Sequence, residues 1–294
     1  MKVTDIHVHG MGGFDTRTAS RKQILKIAEL QYANGVHQII PTIYPAEIEV
    51  MRLHMMTVKK AMEVQETVGR KGEKEARIIG LHLEGPFLNP GKCGALRKEA
   101  FLSPSVEKFD ELTAGLEDIV KIVTVAPELH GAFELIGYIA GKGIIVSMGH
   151  SNATYSEAEN GFYAGARSIT HVFNAMRGLH HREPGIAGFA LTNKDVYVEV
   201  IADPYHLHPK TIELIFHAKP LDKIIIVSDS VKETKTSLIS GSITNSGDVL
   251  MGGSMVVTET AKRLIQSGLE ERTIMRCISD NPAALLALST GTPK

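Results

Sequence analysis

The chain has 294 residues, 43% of them hydrophobic and 22% charged, an ordinary globular composition that excludes wholesale disorder. Its 32 Lys and Arg against 33 Asp and Glu leave a formal net charge of −1, which argues against nucleic-acid binding by bulk positive charge. No apolar run reaches the roughly 18–20 residues of a membrane span, and two cysteines, Cys93 and Cys277, are too few for a disulfide scaffold.

From Met1 the chain runs straight into a polar-flanked strand without a signal-peptide core, so a soluble, cytoplasmic protein is expected. Short apolar runs then alternate with helix-period segments. The expected strands are Val3–His9, His37–Ile43, Ala76–Glu84, Ile119–Val125, Gly143–Gly149, Ser168–His171, Val196–Asp203 and Lys223–Asp229. They are continuous and rich in valine and isoleucine, as expected of parallel strands covered on both faces. Ser103 and Pro104 read as the cap and first residue of a helix, and Pro209 suits the first turn of another. Val257, Ala261, Leu264 and Ile265 form a one-sided helical stripe. Gly141, Gly143, Gly161 and Gly165 read as helix ends and strand entries. Eight strands with helical connections predict one (β/α)8 barrel over residues 1–294, with a doubly wound open sheet as the competitor. Residues 237–251, around Thr244-Asn245-Ser246-Gly247, read as an inserted β-hairpin.

Polar chemistry collects at the ends of these strands. His7 and His9 close the first and, two apart, point the same way. Glu84 closes the third, His150 follows the fifth, and His171 closes the sixth. Asp203 and His206 follow the seventh, and Asp229 closes the eighth. A barrel opens all these ends onto one face. Burying so many polar groups unpaired would cost about 1–3 kcal/mol each, and a divalent cation removes that cost. Imidazole and carboxylate suit zinc, the leading candidate, and also iron, manganese or nickel. His82 shares a face with Glu84 and fits either a supporting or a packing role. His37, His54, His130 and His217 read as structural or surface residues, and Cys93 as a buried free thiol.

The motifs His82-Leu83-Glu84-Gly85-Pro86-Phe87, Gly149-His150-Ser151-Asn152-Ala153, Thr170-His171 through Asn174-Ala175-Met176, and Leu179-His180-His181-Arg182-Glu183-Pro184-Gly185 occur in that order. With Val125-Ala126-Pro127-Glu128 they make the chain resemble the N-acetylglucosamine-6-phosphate deacetylase family of the amidohydrolase superfamily. The resemblance implies a principal metal site of Glu84, His150 and His171. It implies a second site of His7, His9 and Asp229 in members with two ions, and Asp229 as the catalytic acid–base. It further implies substrate contacts from Asn174, Ala175, Arg182 and His206, with Arg182 serving a neighbouring subunit of a homodimer. The implied substrate is an N-acetylated amino-sugar phosphate. Another amide, cyclic amide or aminated ring on the same barrel is one alternative, and a non-catalytic sugar-phosphate binder is another. Three departures stand out. The segments that form a small β-sandwich in the family are absent from both ends of the sequence, Leu96 replaces a common sugar-contacting His or Gln, and Pro204 replaces a glycine.

Overall fold

The computed structural model describes residues 2–67, 74–236 and 241–290. Eight parallel strands follow one another around a nearly closed barrel. They are β1 (Thr4–Val8), β2 (Gln38–Ile43), β3 (Arg77–Ile78 and Leu81–Glu84) and β4 (Val120–Val125), then β5 (Ile145–Met148), β6 (Ser168–Ile169), β7 (Tyr197–Val200) and β8 (Ile224–Ile226). Neighbours in sequence are neighbours in the sheet, and a parallel bridge from Val8 to Ser230 joins the first strand to the segment after the last. Chain order with parallel closure excludes the open, doubly wound alternative, whose strand order must reverse.

Each expected strand is present, shortened by one to four residues at its ends. The third is split at Ile79-Gly80, where Gly80 takes φ = 149° and an added Cβ would lie 2.9 Å from the Ile119 carbonyl. Helices α1 (Arg21–Ala33), α2 (Ile48–Thr67), α3 (Val106–Thr113), α4 (Ala132–Gly141), α5 (Tyr155–Ala164), α6 (Gly185–Thr192), α7 (Pro209–Ala218) and α8 (Val257–Gln266) follow the strands in turn. Pro209 is the first residue of α7, where its missing N–H costs nothing, and Val257, Ala261 and Leu264 are the buried stripe of α8.

Two local expectations are corrected. The cap of α3 is Ser105, whose Oγ accepts the Lys108 N–H, so the helix starts two residues later than Ser103-Pro104 suggests. Gly161 lies inside α5 rather than at its end, because the helix passes so close to β5 that a Cβ there would sit 2.5 Å from Met148 Sδ. The start of α5 is a capping box of Thr154 and Glu157, a Thr-x-x-Glu signal readable in the sequence.

The barrel interior changes character along its axis. Ile40, Ile122, Ile145, Tyr197 and Val227 are buried with Leu285 in one apolar cluster. Two residues further on, and so on the same strand face, stand Thr42, Thr124, Ser147, Glu199 and Asp229. Leu285 reaches this cluster from α10 (Asp280–Ala287), which follows α9 (Glu271–Cys277) across the N-terminal end of the barrel. Asn281 ties α10 down by donating through Nδ2 to the carbonyls of Leu221 and Ile224. Apolar floor and polar mouth follow from one pattern.

The hairpin is shorter than expected. Ile243–Thr244 pairs antiparallel with Leu250–Gly252, and residues 237–240 of the expected stretch lie outside the described residues. No helix among the described residues is long and apolar enough to cross a membrane.

Lys219, only 3% exposed, donates through Nζ to the Asn193 and Val196 carbonyls at 2.6 and 2.7 Å. Burial, aided by Lys194 and Lys223, pushes its pKa from 10.5 down to about 7. A neutral amine still has two N–H groups for the two carbonyls. Above pH 7 the unfolded chain therefore holds a proton that the folded chain has shed, and stability rises with pH. Relative to Lys219→Met, the wild type is expected to gain on the order of 1–3 kcal/mol between pH 7 and 9.5 in urea unfolding. A difference that does not change with pH would contradict this assignment.

Candidate metal centre and active site

Six side chains from five strand ends meet at the base of one cavity, five of them lining it and His7 fully buried beside them. Glu84 is their hub. Its Oε1 lies 3.1 Å from His150 Nε2, 3.2 Å from His171 Nε2 and 3.4 Å from His7 Nε2, and its Oε2 lies 3.2 Å from His9 Nε2. Asp229 Oδ1 closes the other side, 3.4 Å from His7 Nε2 and 3.5 Å from His9 Nε2. Donor atoms of Glu84, His150 and His171 form one compact group, and those of His7, His9 and Asp229 another. Every predicted ligand is in one of them.

Local backbone explains how the strand ends aim these groups inward. His150, His171 and Asp229 take left-handed conformations, with φ of 46°, 29° and 47°. Such backbone costs an L-residue about 1–2 kcal/mol, and its clustering at one cavity marks a site that tolerates strain for function. Two imidazoles are then fixed from behind. His7 Nδ1 is 3.1 Å from Glu199 Oε2, and His150 Nδ1 is 2.9 Å from the Lys92 carbonyl. A carbonyl can only accept, so His150 carries a proton on Nδ1 and turns its Nε2 edge toward Glu84.

The donor set fits a divalent cation, and three observations support the fit. His171 Nε2 and His150 Nε2 are 3.1 Å apart, and His7 Nε2 and His9 Nε2 are 3.3 Å apart. One proton can bridge such a nitrogen pair, but it leaves the other lone pairs around Glu84 facing one another. Second, no lysine or arginine is among the described residues that line this cavity to balance Glu84 and Asp229. Third, the carboxylates of the cluster favour positive charge among them. Burial opposes a charged His7, yet Asp229, Glu199 and Glu84 raise its pKa well above the ordinary value. Burial likewise opposes a charged Glu84, but His150, His171 and His7 hold its carboxyl well below the usual range. The carboxylates demand a cation.

Around this floor the cavity has a volume of about 330 Å³. Asn174, Ala175 and His206, three of the predicted substrate contacts, line it. His206 is braced by Asp203, which accepts from its Nδ1 at 3.0 Å and from Ser254 N at 2.9 Å. Burial works against the charged Asp203, but His206 and these backbone donors hold its pKa far down. Asp203 is thus a brace for His206 and not a member of either donor group. Arg182 is exposed and absent from the cavity lining, with its guanidinium 3.0 Å from His181 Nε2.

The amidohydrolase family matches residues 3–292 of this sequence. The chain belongs to the amidohydrolase family. It is 36% identical over 230 residues to the N-acetylglucosamine-6-phosphate deacetylase of Bacillus subtilis, covering 78% of this chain and 57% of that protein. It is 28% identical over 297 residues to the N-acetylgalactosamine-6-phosphate deacetylase of Escherichia coli O157:H7, covering 97% and 77%. It also resembles the crystal structure of a mutant N-acetyl-D-glucosamine-6-phosphate deacetylase from Mycobacterium smegmatis in complex with N-acetyl-D-glucosamine-6-phosphate. There the TM-score is 0.89 at 25% identity, over 97% of this chain and 77% of that one. The chain therefore spans little more than half the length of its Bacillus relative.

Several residues of this amidohydrolase site escape sequence reasoning. Glu199 reads as one more residue of an apolar strand, yet it is fully buried against His7. Tyr44 lines the cavity and stacks on His9, and the hairpin adds Asp248, Val249, Leu250 and Met251 to the wall. The polar position of Glu199 within β7 was the available signal. For Tyr44 only the end of β2 could have pointed to it. His82 is a barrel-interior residue, bonded through Nε2 to Thr124 Oγ1 at 2.8 Å and set edge-on to His7. Burial, and then the positive potential of His7, lower its pKa well below the ordinary value, so it is neutral. Cys93 is half-buried in the loop beside the cavity rather than fully buried.

Proposed function

We propose that this amidohydrolase removes the acetyl group from an N-acetylated amino-sugar phosphate, N-acetylglucosamine-6-phosphate or a close relative, giving acetate and the amino-sugar phosphate. The observation that carries the reading is the meeting of His7, His9, Glu84, His150, His171 and Asp229 at one cavity floor. The named relatives supply the substrate class.

A divalent ion, for which zinc is the first candidate, would be held by Glu84, His150 and His171, and a second by His7, His9 and Asp229. When bound, it supplies Lewis-acid polarisation of water and of the amide carbonyl. The remaining work falls to the chain itself. Asp229, at the rim of the cluster, accepts a proton from the attacking water as the tetrahedral centre forms. It then returns that proton to the amine nitrogen, because an amide nitrogen does not depart as an anion. The free ring nitrogen of His206, whose Nδ1 is committed to Asp203, is assigned to the developing oxyanion or the sugar. Asn174 and the Ala175 backbone orient the substrate.

Arg182 is assigned to the phosphate of the neighbouring subunit in a homodimer, a role supported by its exposure and by its absence from its own cavity. A guanidinium matches a phosphate with two parallel hydrogen bonds. The barrel is assigned as the catalytic domain, and its setting to the cytoplasm, where charged sugar phosphates are retained.

The deciding experiment is acetate release from N-acetylglucosamine-6-phosphate, N-acetylgalactosamine-6-phosphate and their unphosphorylated forms, paired with elemental analysis of the purified protein. Turnover confined to cyclic amides or aminated rings would replace the deacetylase reading. Tight binding without turnover in metal-replete protein would replace it with a binding role. The apolar wall of Leu96, Ile201, Val249 and Leu250 is where the sugar preference is set. Leu96→His restores a hydrogen-bonding side chain there and is expected to change kcat/KM between the two epimers by about 2- to 10-fold, the worth of one hydrogen bond. Equal effects on both substrates would remove Leu96 from the specificity wall.

A further inference from the structure

The three rear-anchoring modes of the histidines differ, and one of them is built from rings. His7 is held by Glu199 and His150 by the Lys92 carbonyl, each through Nδ1. His9 has no such anchor, since its Nδ1 is buried without a hydrogen-bond partner among the described residues. What meets His9 is Tyr44, whose ring lies parallel to it with centroids 3.9 Å apart and planes 22° from each other. The other partner of Tyr44 is Arg17, whose guanidinium carbon is 4.3 Å from the ring centroid. Arg17 is itself fixed, donating from Nε and Nη2 to the two carboxylate oxygens of Asp15 at 3.0 and 2.7 Å. Asp15 is tied to the end of the first strand, because it pairs with Gly10 in a short antiparallel ribbon next to His9.

The result is a closed loop of contacts: His9, Tyr44, Arg17, Asp15 and back through Gly10 to His9. Stacking and cation–π attraction both act on ring planes and resist tilt. Tilt is the motion that would carry His9 Nε2 away from Glu84 Oε2, now 3.2 Å distant. From this geometry we propose that Tyr44, clamped by Arg17, is a positioning residue for His9 and through it for the second divalent ion. The inference rests on the two-ion reading of the site given above.

The test uses metal-free wild-type protein, Tyr44→Phe and Tyr44→Met, titrated with Zn²⁺ against a chromophoric chelator, with bound metal counted by elemental analysis. The wild type is expected to take two equivalents. Tyr44→Phe keeps both affinities, because the ring remains. Tyr44→Met, similar in volume but without a ring plane, keeps the first equivalent and holds the second about 10- to 100-fold more weakly, as for lost support of a metal-bound histidine. A Tyr44→Met titration that overlays the wild type overturns the proposal. A wild type that takes a single equivalent overturns the two-ion reading and this role with it.

Arg17→Met provides a second arm if Tyr44→Met fails to fold, since it strips the outer layer of the stack without touching the cavity lining. Removing a nearby positive charge would by itself tighten cation binding. A several-fold weakening of the second equivalent therefore reports the stack, and unchanged or tighter binding overturns it.

Discussion

An Asp229→Asn variant is expected to retain the ion held by Glu84, His150 and His171 while losing about 10³–10⁴-fold in kcat. General acid–base catalysis is worth typically 10²–10⁴-fold, and here one carboxylate serves both directions of proton transfer, so the upper part of that range applies. Asparagine keeps the size and an oxygen within reach of His7 and His9 but cannot accept and return a proton. The left-handed backbone at Asp229 is one that asparagine adopts readily, so the fold survives the exchange. Acetate-release kinetics and elemental analysis on the same preparation check both halves. A kcat within tenfold of the wild type would assign the proton transfers elsewhere.

Glu84→Gln is expected to be more severe because it acts on assembly as well as on chemistry. Glu84 is buried and lies within 3.5 Å of four imidazoles. Replacing its charge with an amide leaves His7, His9, His150 and His171 around a group that cannot balance a dication. Removing an outer partner of a metal site typically costs 10–100-fold in affinity, so loss of the carboxylate ligand of the principal group is expected to cost at least about 100-fold. Metal content after dialysis should fall to near zero at the principal site, and activity with it. The change also removes the metal's contribution to stability, so the thermal midpoints of wild type and variant converge once both are stripped with a chelator. A Glu84→Gln protein that purifies with its full complement of metal would dismiss the proposed centre.

The parts of this centre legible in the sequence are those carried by strand periodicity and by position at a strand end. His7 and His9 alternate with Ile6 and Val8, so a common direction follows from the two-residue repeat. Glu84, His171 and Asp229 each end an apolar run, and parallel closure brings such ends together. Supports that arise only on closure are not legible. Glu199 meets His7 across 192 residues, and the carbonyl that fixes His150 comes from Lys92 in a loop with no periodicity. The sequence reads Ser103 as the cap, and only the fold shows that the Ser105 hydroxyl accepts from the Lys108 amide instead. The hairpin is legible as turn chemistry between short strands. That it would supply one wall of the cavity depends on a tertiary placement no local pattern encodes.

The placement of Leu285 has a consequence for the order in which the barrel is completed. The apolar layer between the strands is completed by a side chain from α10, and Asn281 locks that helix to the eighth strand. The strands can pair with one another before α10 docks, but until then the base of the barrel stays open to water. Docking of α10 is thus the step that covers this layer.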